Sequence, residues 1–393
     1  MAHDAPVLIA GGGIAGLATA LALAKRDIPS RILELRDEPS EAGAGIQIGP
    51  NGVRVLSLLG VAPLLALKAG HPDEIIAHQG ATGRVLSRMP LGGWIEARHG
   101  APYWVVHRRD LHAALLTAVA AEPHIEMVTG FAVADVTARG ERVEVRDAHG
   151  TVVQASLLIG ADGIRSRVRA AVSPETRLTF SGKTASRALL PPDAAHALGA
   201  SNAVGVWLAP GAHVVHYPVE AGARTAVVVI VPDDRLTEDW AAAGDWTNLA
   251  PHLAPFAPEL TRVLATAPEW RRWALFRADP APRLTAGRIA LAGDAAHPVF
   301  PFLAQGGVMA LEDAVVLAHA LAADRRDPRR ALTAYDAARR RRVDAIVATS
   351  QQNGRIFHLS GPAATARNLA MAVAPASRLM ARYDWVYGWK PPA

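Results

Sequence analysis

The stretch Val7-Leu8-Ile9-Ala10-Gly11-Gly12-Gly13-Ile14-Ala15-Gly16 decides the fold. Four apolar residues form a short strand, the glycines a tight turn, and Leu17–Lys25 an apolar helix. A second strand is predicted over Arg31–Leu35. Strand, glycine turn, helix and strand in that order open a Rossmann-like dinucleotide fold. Gly11 permits the turn, Gly13 with Ala15 beside it lets the backbone approach a pyrophosphate, and Gly16 lets the helix pack closely on the strand. The helix N-terminus then offers free N–H groups and a favourable dipole to phosphates. Glu34, 18 residues beyond Gly16, ends the second strand. A carboxylate there accepts hydrogen bonds from a ribose, with Arg36 beside it. This unit alone does not separate NAD from FAD.

The rest of the chain narrows the class. Its 393 residues exceed one simple core and suggest two domains. Half are hydrophobic and 20% are charged, which excludes a disordered chain. With no cysteine there is no disulfide, thiolate zinc site or Cys nucleophile, and a reducing, cytoplasmic setting is expected. A net charge of +5 is too small to argue for nucleic acid. Ala5–Ala24 is uncharged and long enough to span a membrane, but its glycines suit a phosphate turn better, so no membrane role is expected. The 15 histidines are scattered without ligand spacing, so no metal is expected.

Leu111–Ala121 has helical spacing, and Phe131–Ile159 reads as a meander of short strands. Thr176–Pro232 holds β-rich runs at Ala203–Leu208, His213–Val219 and Thr225–Val231, predicting an antiparallel sheet. A Pro- and Trp-rich stretch, Asp239–Pro282, leads to a strand at Arg288–Ala292. From Gly307 onward the chain reads as helical. One amphipathic helix, near Ala331–Ser350, is flanked by the arginine blocks Arg325–Arg330 and Arg339–Arg342, which read as a solvated face. The expected fold is α/β with α+β elements: a dinucleotide domain (1–70, 101–175 and 283–325), an antiparallel-sheet substrate domain (71–100 and 176–282) and a helical C-terminal region (326–393).

Two further motifs point to FAD. One is Gly160-Ala161-Asp162-Gly163-Ile164-Arg165-Ser166-Arg167-Val168-Arg169. The other is Arg288–His297, reading RIALAGDAAH, followed by Pro298–Gly307 and the acidic pair Glu312-Asp313. With the glycine turn they resemble the flavoprotein aromatic hydroxylases, single-component FAD monooxygenases, nearly end to end. The resemblance implies non-covalent FAD, with Asp294 on its ribityl chain and Gln305-Gly306-Gly307 opening a helix toward the flavin ring. It implies Arg108, in His107-Arg108-Arg109-Asp110-Leu111, as a flavin contact in preference to Arg109. Asp162 is associated with both FAD and NAD(P)H, or serves as a helix N-cap. The resemblance also implies Arg165 as the nicotinamide-nucleotide contact, and His297 is expected to support the GD turn. Where the broad family has P-x-x-G-Q-G, this chain has Pro301-Phe302-Leu303-Ala304-Gln305-Gly306. That form, the segment Gly43–Asn51 and Tyr383–Trp389 resemble the salicylate and 3-hydroxybenzoate 6-hydroxylase branch.

Such enzymes use NAD(P)H and O2, trap oxygen as a flavin C4a-hydroperoxide, and hydroxylate an electron-rich ring. A phenol of pKa about 10 reacts better ionised, so a base is useful. In His213-Val214-Val215-His216-Tyr217-Pro218, residues 213, 215 and 217 share one strand face and His216 takes the other. The H-x-x-x-Y-P pattern resembles hydroxybenzoate and hydroxynicotinate hydroxylases, implying His213 as base, Tyr217 as its partner and Gln305 holding the substrate hydroxyl. Gln47 is expected at the cofactor. Arg187, Arg224 and Gln47 stay open as holders of the substrate carboxylate. The expected substrate is a small phenolic acid of the salicylate or 3-hydroxybenzoate type. Alternatives are the same chemistry on a hydroxynicotinate, urate or polyketide ring, or a flavin-binding module without turnover. A homodimer stays open.

Overall fold

The computed structural model describes residues 6–38, 45–191, 193, 197–198, 202–234 and 242–393. Gly43, Ala44 and Asp239 of the segments above lie outside the described residues. Among the described residues a six-stranded sheet runs in the order Thr285–Ala286, Ile289–Leu291, Leu158–Gly160, Val7–Ala10, Ser30–Leu33, Ile125–Val128. Its pairs are parallel except for the edge hairpin Thr285–Ala286/Ile289–Leu291. A strand covered on both faces needs an unbroken apolar run, and Val7–Ala10 is buried throughout. Helix Ile14–Ala24 begins directly after the glycine turn because Gly13, in extended conformation, is its N-cap. It packs on helix Gly306–Ala323. The latter is long and apolar enough to cross a bilayer, but 72% of it is buried inside the protein, as befits a core helix.

The expected meander forms as Val133–Arg139, Arg142–Asp147 and Val152–Ala155. Its last run breaks after Ala155, and Leu158–Gly160 joins the parallel sheet instead.

The second large sheet has the order Ala242–Gly244, Trp270–Asp279, Arg177–Leu190, Arg224–Pro232, Ala212–Val219, Ala203–Ala209, Glu74–Gln79, Val85–Pro90. It is antiparallel except where Ala203–Ala209 pairs with Glu74–Gln79. Trp270–Asp279 is a ten-residue strand inside the Pro- and Trp-rich stretch. Its alternation is masked by three arginines, and its pairing with Arg177–Leu190 is what makes it a strand. The register places His213 opposite Ile230, Val215 opposite Val228 and Tyr217 opposite Ala226. Arg187 lies on the far side of Val228, and Ala185 links Ile230 to Trp273.

The C-terminal region is helical: Pro328–Phe357, Gly361–Val373, Ala376–Ala381 and Asp384–Tyr387. The long helix outruns Ala331–Ser350 at both ends. Asp327 caps its start, accepting from the Arg329 and Arg330 amides at 3.1 Å each, with Pro328 in the first turn. Near its end Gly354 lets it pass over Phe302, where a Cβ would come within 2.5 Å of the ring. The arginine blocks are not a uniform solvated face. Arg339 is fully buried and Arg342 is turned inward, because both meet carboxylates on Gly306–Ala323.

Candidate active site

A cavity of ≈ 730 Å³ runs between the two large sheets. At one end are the glycine turn, Glu34 and Arg36. In the middle are Arg108, Asp162, Arg165 and Asp294. At the other end are Gly306, Gly307 and one face of the antiparallel sheet, including His213, Val215, Tyr217, Arg187 and Trp273. The structure thus gathers three motifs that lie more than a hundred residues apart. Gln47 also lines this space and accepts from the Tyr103 hydroxyl at 2.6 Å. Arg224 does not line it.

The glycine turn is built as a cradle. Gly11 has φ +102°, and a Cβ there would sit 2.5 Å from the Ala161 carbonyl oxygen. A Cβ on Gly16 would lie 1.9 Å from the Gly11 oxygen, so this helix position tolerates only glycine. Gly16 itself serves packing and does not line the cavity. Glu34, expected to meet a ribose, accepts from the Gly12 amide at 2.6 Å and from the Arg36 amide at 3.0 Å, so it also braces the glycine turn. His112, which no sequence motif pointed to, reaches the Gly12 carbonyl at 2.8 Å.

Asp162 combines its two expected roles. Oδ2 accepts from the Arg167 and Val168 amides at 2.7 and 3.1 Å, whereas Oδ1 is buried with no hydrogen-bond partner among the described residues. Burial raises its carboxyl above the ordinary value, against the opposing pull of hydrogen bonds from the Ser166 hydroxyl and the neighbouring amides. A buried acceptor without a donor at a cavity wall fits a ligand carrying hydroxyl groups. Together with the glycine cradle and the open helix end at Gly306, these residues fit FAD.

Behind the GD turn lies a charged network that the sequence hid. Asp313 accepts from the Gly293 amide (2.9 Å), His297 Nε2 (2.5 Å) and Arg339 Nε (2.7 Å). Glu312 accepts from Arg339 (2.8 Å), Arg342 (2.7 Å) and Asn51 (2.7 Å). Burial alone would raise both carboxyls. His297 and Arg339 instead hold Asp313 down to about 2, and Arg339, Arg342 and Asn51 lower Glu312. His297 therefore sits against the GD turn through Asp313. The only sequence signal for the network was the acidic pair facing arginines three residues apart.

Gln305 requires a correction. Its side chain is buried and accepts from the Asn51 amide at 2.9 Å, and it does not line the cavity. A buried amide needs a partner, and Asn51 supplies one. Gln305 is the N-cap of Gly306–Ala323, and its side-chain oxygen is engaged by Asn51 rather than turned to the cavity expected to hold the substrate hydroxyl. Ala304, where the broad pattern has glycine, takes φ +51°, a left-handed turn that strains a side-chain-bearing residue by about 1–2 kcal/mol. That turn directs the chain into the helix opening at Gly306.

On the sheet face, His213 and Tyr217 both line the cavity, and His216 is buried on the opposite face. The Tyr217 hydroxyl donates to the Gly45 carbonyl at 2.7 Å. Burial pushes it up to about 12, with Arg187 opposing. His213 is fully buried, and burial, His358 and Lys183 push its imidazole well below the usual value. Its Nδ1 lies 2.7 Å from His358 Nε2, a contact that no sequence spacing signals. The Arg187 guanidinium lies 3.2 Å above the Trp273 ring centre.

Comparisons with known proteins agree with this geometry. A family model described as an FAD binding domain matches residues 4–350. The chain is 35% identical over 388 residues to 3-hydroxybenzoate 6-hydroxylase of Polaromonas naphthalenivorans (strain CJ2), covering 98% of this chain and 96% of that protein. It is 36% identical over 386 residues to 3-amino-4-hydroxybenzoate 2-monooxygenase PtmB3 of Streptomyces platensis, with 98% and 96% coverage. Among solved structures, Klebsiella pneumoniae HpxO complexed with FAD and uric acid is similar with a TM-score of 0.85 and 26% identity, over 97% of this chain and 96% of that one. The cavity, its glycine cradle and these matches over nearly the full length lead to one conclusion: the chain belongs to the FAD-dependent aromatic monooxygenases and is an aromatic hydroxylase.

Proposed function

We propose that the protein hydroxylates a small phenolic acid, with 3-hydroxybenzoate or salicylate as the substrate type, using NAD(P)H and O2. The observation that carries this reading is the arrangement of His213, Tyr217 and Arg187 on one sheet face, walling the cavity that ends at Gly306. Bound there, FAD supplies reduction by the nicotinamide and activation of oxygen. Asp294, Asp162, Arg108, Glu34 and Arg36 hold the cofactor along its length, and Arg165 meets the nicotinamide nucleotide. His213 takes the phenolic proton. Tyr217, its hydroxyl committed as donor to Gly45, packs against the substrate ring. The amide groups opening the helix at Gly306 favour negative charge at that end of the cavity.

Arg187 anchors the carboxylate. It is on the same face as His213, two strands away and in line with Val215 through Val228, which with the two-residue offset along the strand is a backbone span of ~12 Å at the usual strand spacing. A flexible arginine stem and a benzoate ring together bridge that distance. Stacking on Trp273 holds the guanidinium in place, and its charge is felt at Tyr217. The wall around it is largely apolar: Val215, Val228, Ile230 and Leu275 exclude water. The 3-hydroxybenzoate-acting relative supports the phenolic acid, and the aminohydroxybenzoate relative supports a carboxylated ring in general.

Arg187→Leu is expected to raise KM for the acid by roughly 30-fold, the equivalent of about 2 kcal/mol for one charge-assisted contact. The KM for the corresponding phenol without a carboxylate should not change. A panel of the three monohydroxybenzoates, hydroxynicotinate, urate and unsubstituted phenol, followed by NAD(P)H oxidation and product mass, tests the substrate class. Turnover confined to rings without a carboxylate would reject the phenolic-acid reading.

A further inference from the structure

We infer that His358 is a positioning residue that carries the substrate's phenolic proton away from His213 to solvent. The inference rests on His213 being the base. The observation behind it is the 2.7 Å contact between His213 Nδ1 and His358 Nε2, made between a fully buried ring and a half-buried one.

Two imidazoles at that distance share one proton in an N–H···N bond. Which ring donates decides what His213 can do. When His213 Nδ1–H donates to His358 Nε2, His213 Nε2 keeps its lone pair and can accept a proton. A second imidazole is suited to this place because it accepts at one nitrogen and releases from the other. The proton of the phenol passes to His213 Nε2, the Nδ1 proton passes to His358 Nε2, and the Nδ1 proton of His358 passes to water. A phenolate remains in the cavity, one proton has left, and both rings stay neutral with their tautomers exchanged. The chain resets when the product phenolate takes its proton back from His213 Nε2 and the same steps run in reverse.

The surroundings favour transfer over storage. Burial, the other ring and Lys183 disfavour a charged His213, and burial, Lys183 and Arg367 push His358 down to about 4. An imidazolium at His213 would therefore be costly, so a proton arriving at Nε2 must leave by Nδ1. Lys183, two strands away on Arg177–Leu190, reaches the Gly211 carbonyl at 3.4 Å, and Arg367, on the following helix, bonds the Ile356 and Phe357 carbonyls at 2.9 and 2.8 Å. The Gly211 amide donates to the His358 carbonyl at 3.1 Å. Rings of Phe302 and Phe357 flank His213, and Phe302 also meets His358 edge-on. Both histidines are thus held in register from the strand and from the helix end.

The test uses the holoenzyme with 3-hydroxybenzoate, measuring product formation against pH for the parent, His358→Gln, His358→Ala and His213→Gln. His358→Gln is expected to be roughly 10- to 100-fold slower near neutral pH. The deficit should close as pH approaches the phenol's own pKa of about 10, where substrate arrives ionised. KM and flavin content should stay at parent values, and added imidazole should restore part of the rate of His358→Ala. A His358→Gln enzyme with the parent rate and profile would overturn the inference. So would a loss equal at every pH, or His358→Ala that imidazole does not help. If His213→Gln is slow while His358→Gln is not, the base stands and the relay alone fails. If His213→Gln turns over at the parent rate, the base assignment itself fails.

Discussion

Arg339→Met should lower the protein's stability by about 3–5 kcal/mol and strip it of most of its flavin. Arg339 is fully buried and bonds both Asp313 and Glu312. Removing one partner of a buried ion network leaves the others charged and uncompensated, which costs far more than the network's net worth. Arg342 would still serve Glu312, but Asp313 would keep only His297 and the Gly293 amide. Because Asp313 holds Gly293, the loss reaches the GD turn and Asp294 beside the cofactor. Arg340→Met is the control: its half-exposed pair with Asp336 one helical turn away contributes under ~1 kcal/mol. Urea unfolding of both variants, with flavin absorbance after desalting, measures the two effects. Equal midpoints for the two variants would show that the network does not hold the turn.

His213→Gln should keep FAD yet form product ~100-fold more slowly, the usual scale for losing a general base. The side chain sits on the wall of the cavity and touches none of the glycine-turn residues, so cofactor retention should be unaffected. Consumption of NAD(P)H should continue while the oxygenated product falls, because reduction of the flavin does not need the phenolate. The loss should be largest at low pH and smallest where the substrate ionises unaided. Parent-like coupling between NAD(P)H consumed and product formed would remove His213 from the chemistry.

Local signals made much of this legible. A buried parallel strand must be apolar throughout, so Val7–Ala10 identified itself, and the positive φ of Gly11 follows from its place in the turn. Period-two alternation correctly put His213 and Tyr217 on one face and His216 on the other. What stayed hidden depends on partners distant in sequence. Gln305 turns inward because Asn51, on the helix Pro50–Leu58, meets it there. Arg339 is buried because Glu312 and Asp313 come from another helix, and a run of arginines looks the same in sequence whether it faces water or carboxylates. His358 follows a 30-residue helix whose end is set by packing over Phe302, so nothing near it in the chain announces the contact with His213. Trp270–Asp279 becomes a strand through its neighbour Arg177–Leu190, against its own prolines and charges on either side.

The most direct test of the central claim is oxygen labelling. The purified holoenzyme is supplied with NADH or NADPH, 3-hydroxybenzoate and heavy-oxygen gas, and the aromatic product is weighed by mass spectrometry. The account predicts a dihydroxybenzoate carrying one labelled oxygen atom, formed in step with nicotinamide oxidation. Nicotinamide oxidised with only hydrogen peroxide released, and no labelled ring product from 3-hydroxybenzoate or salicylate, would contradict it.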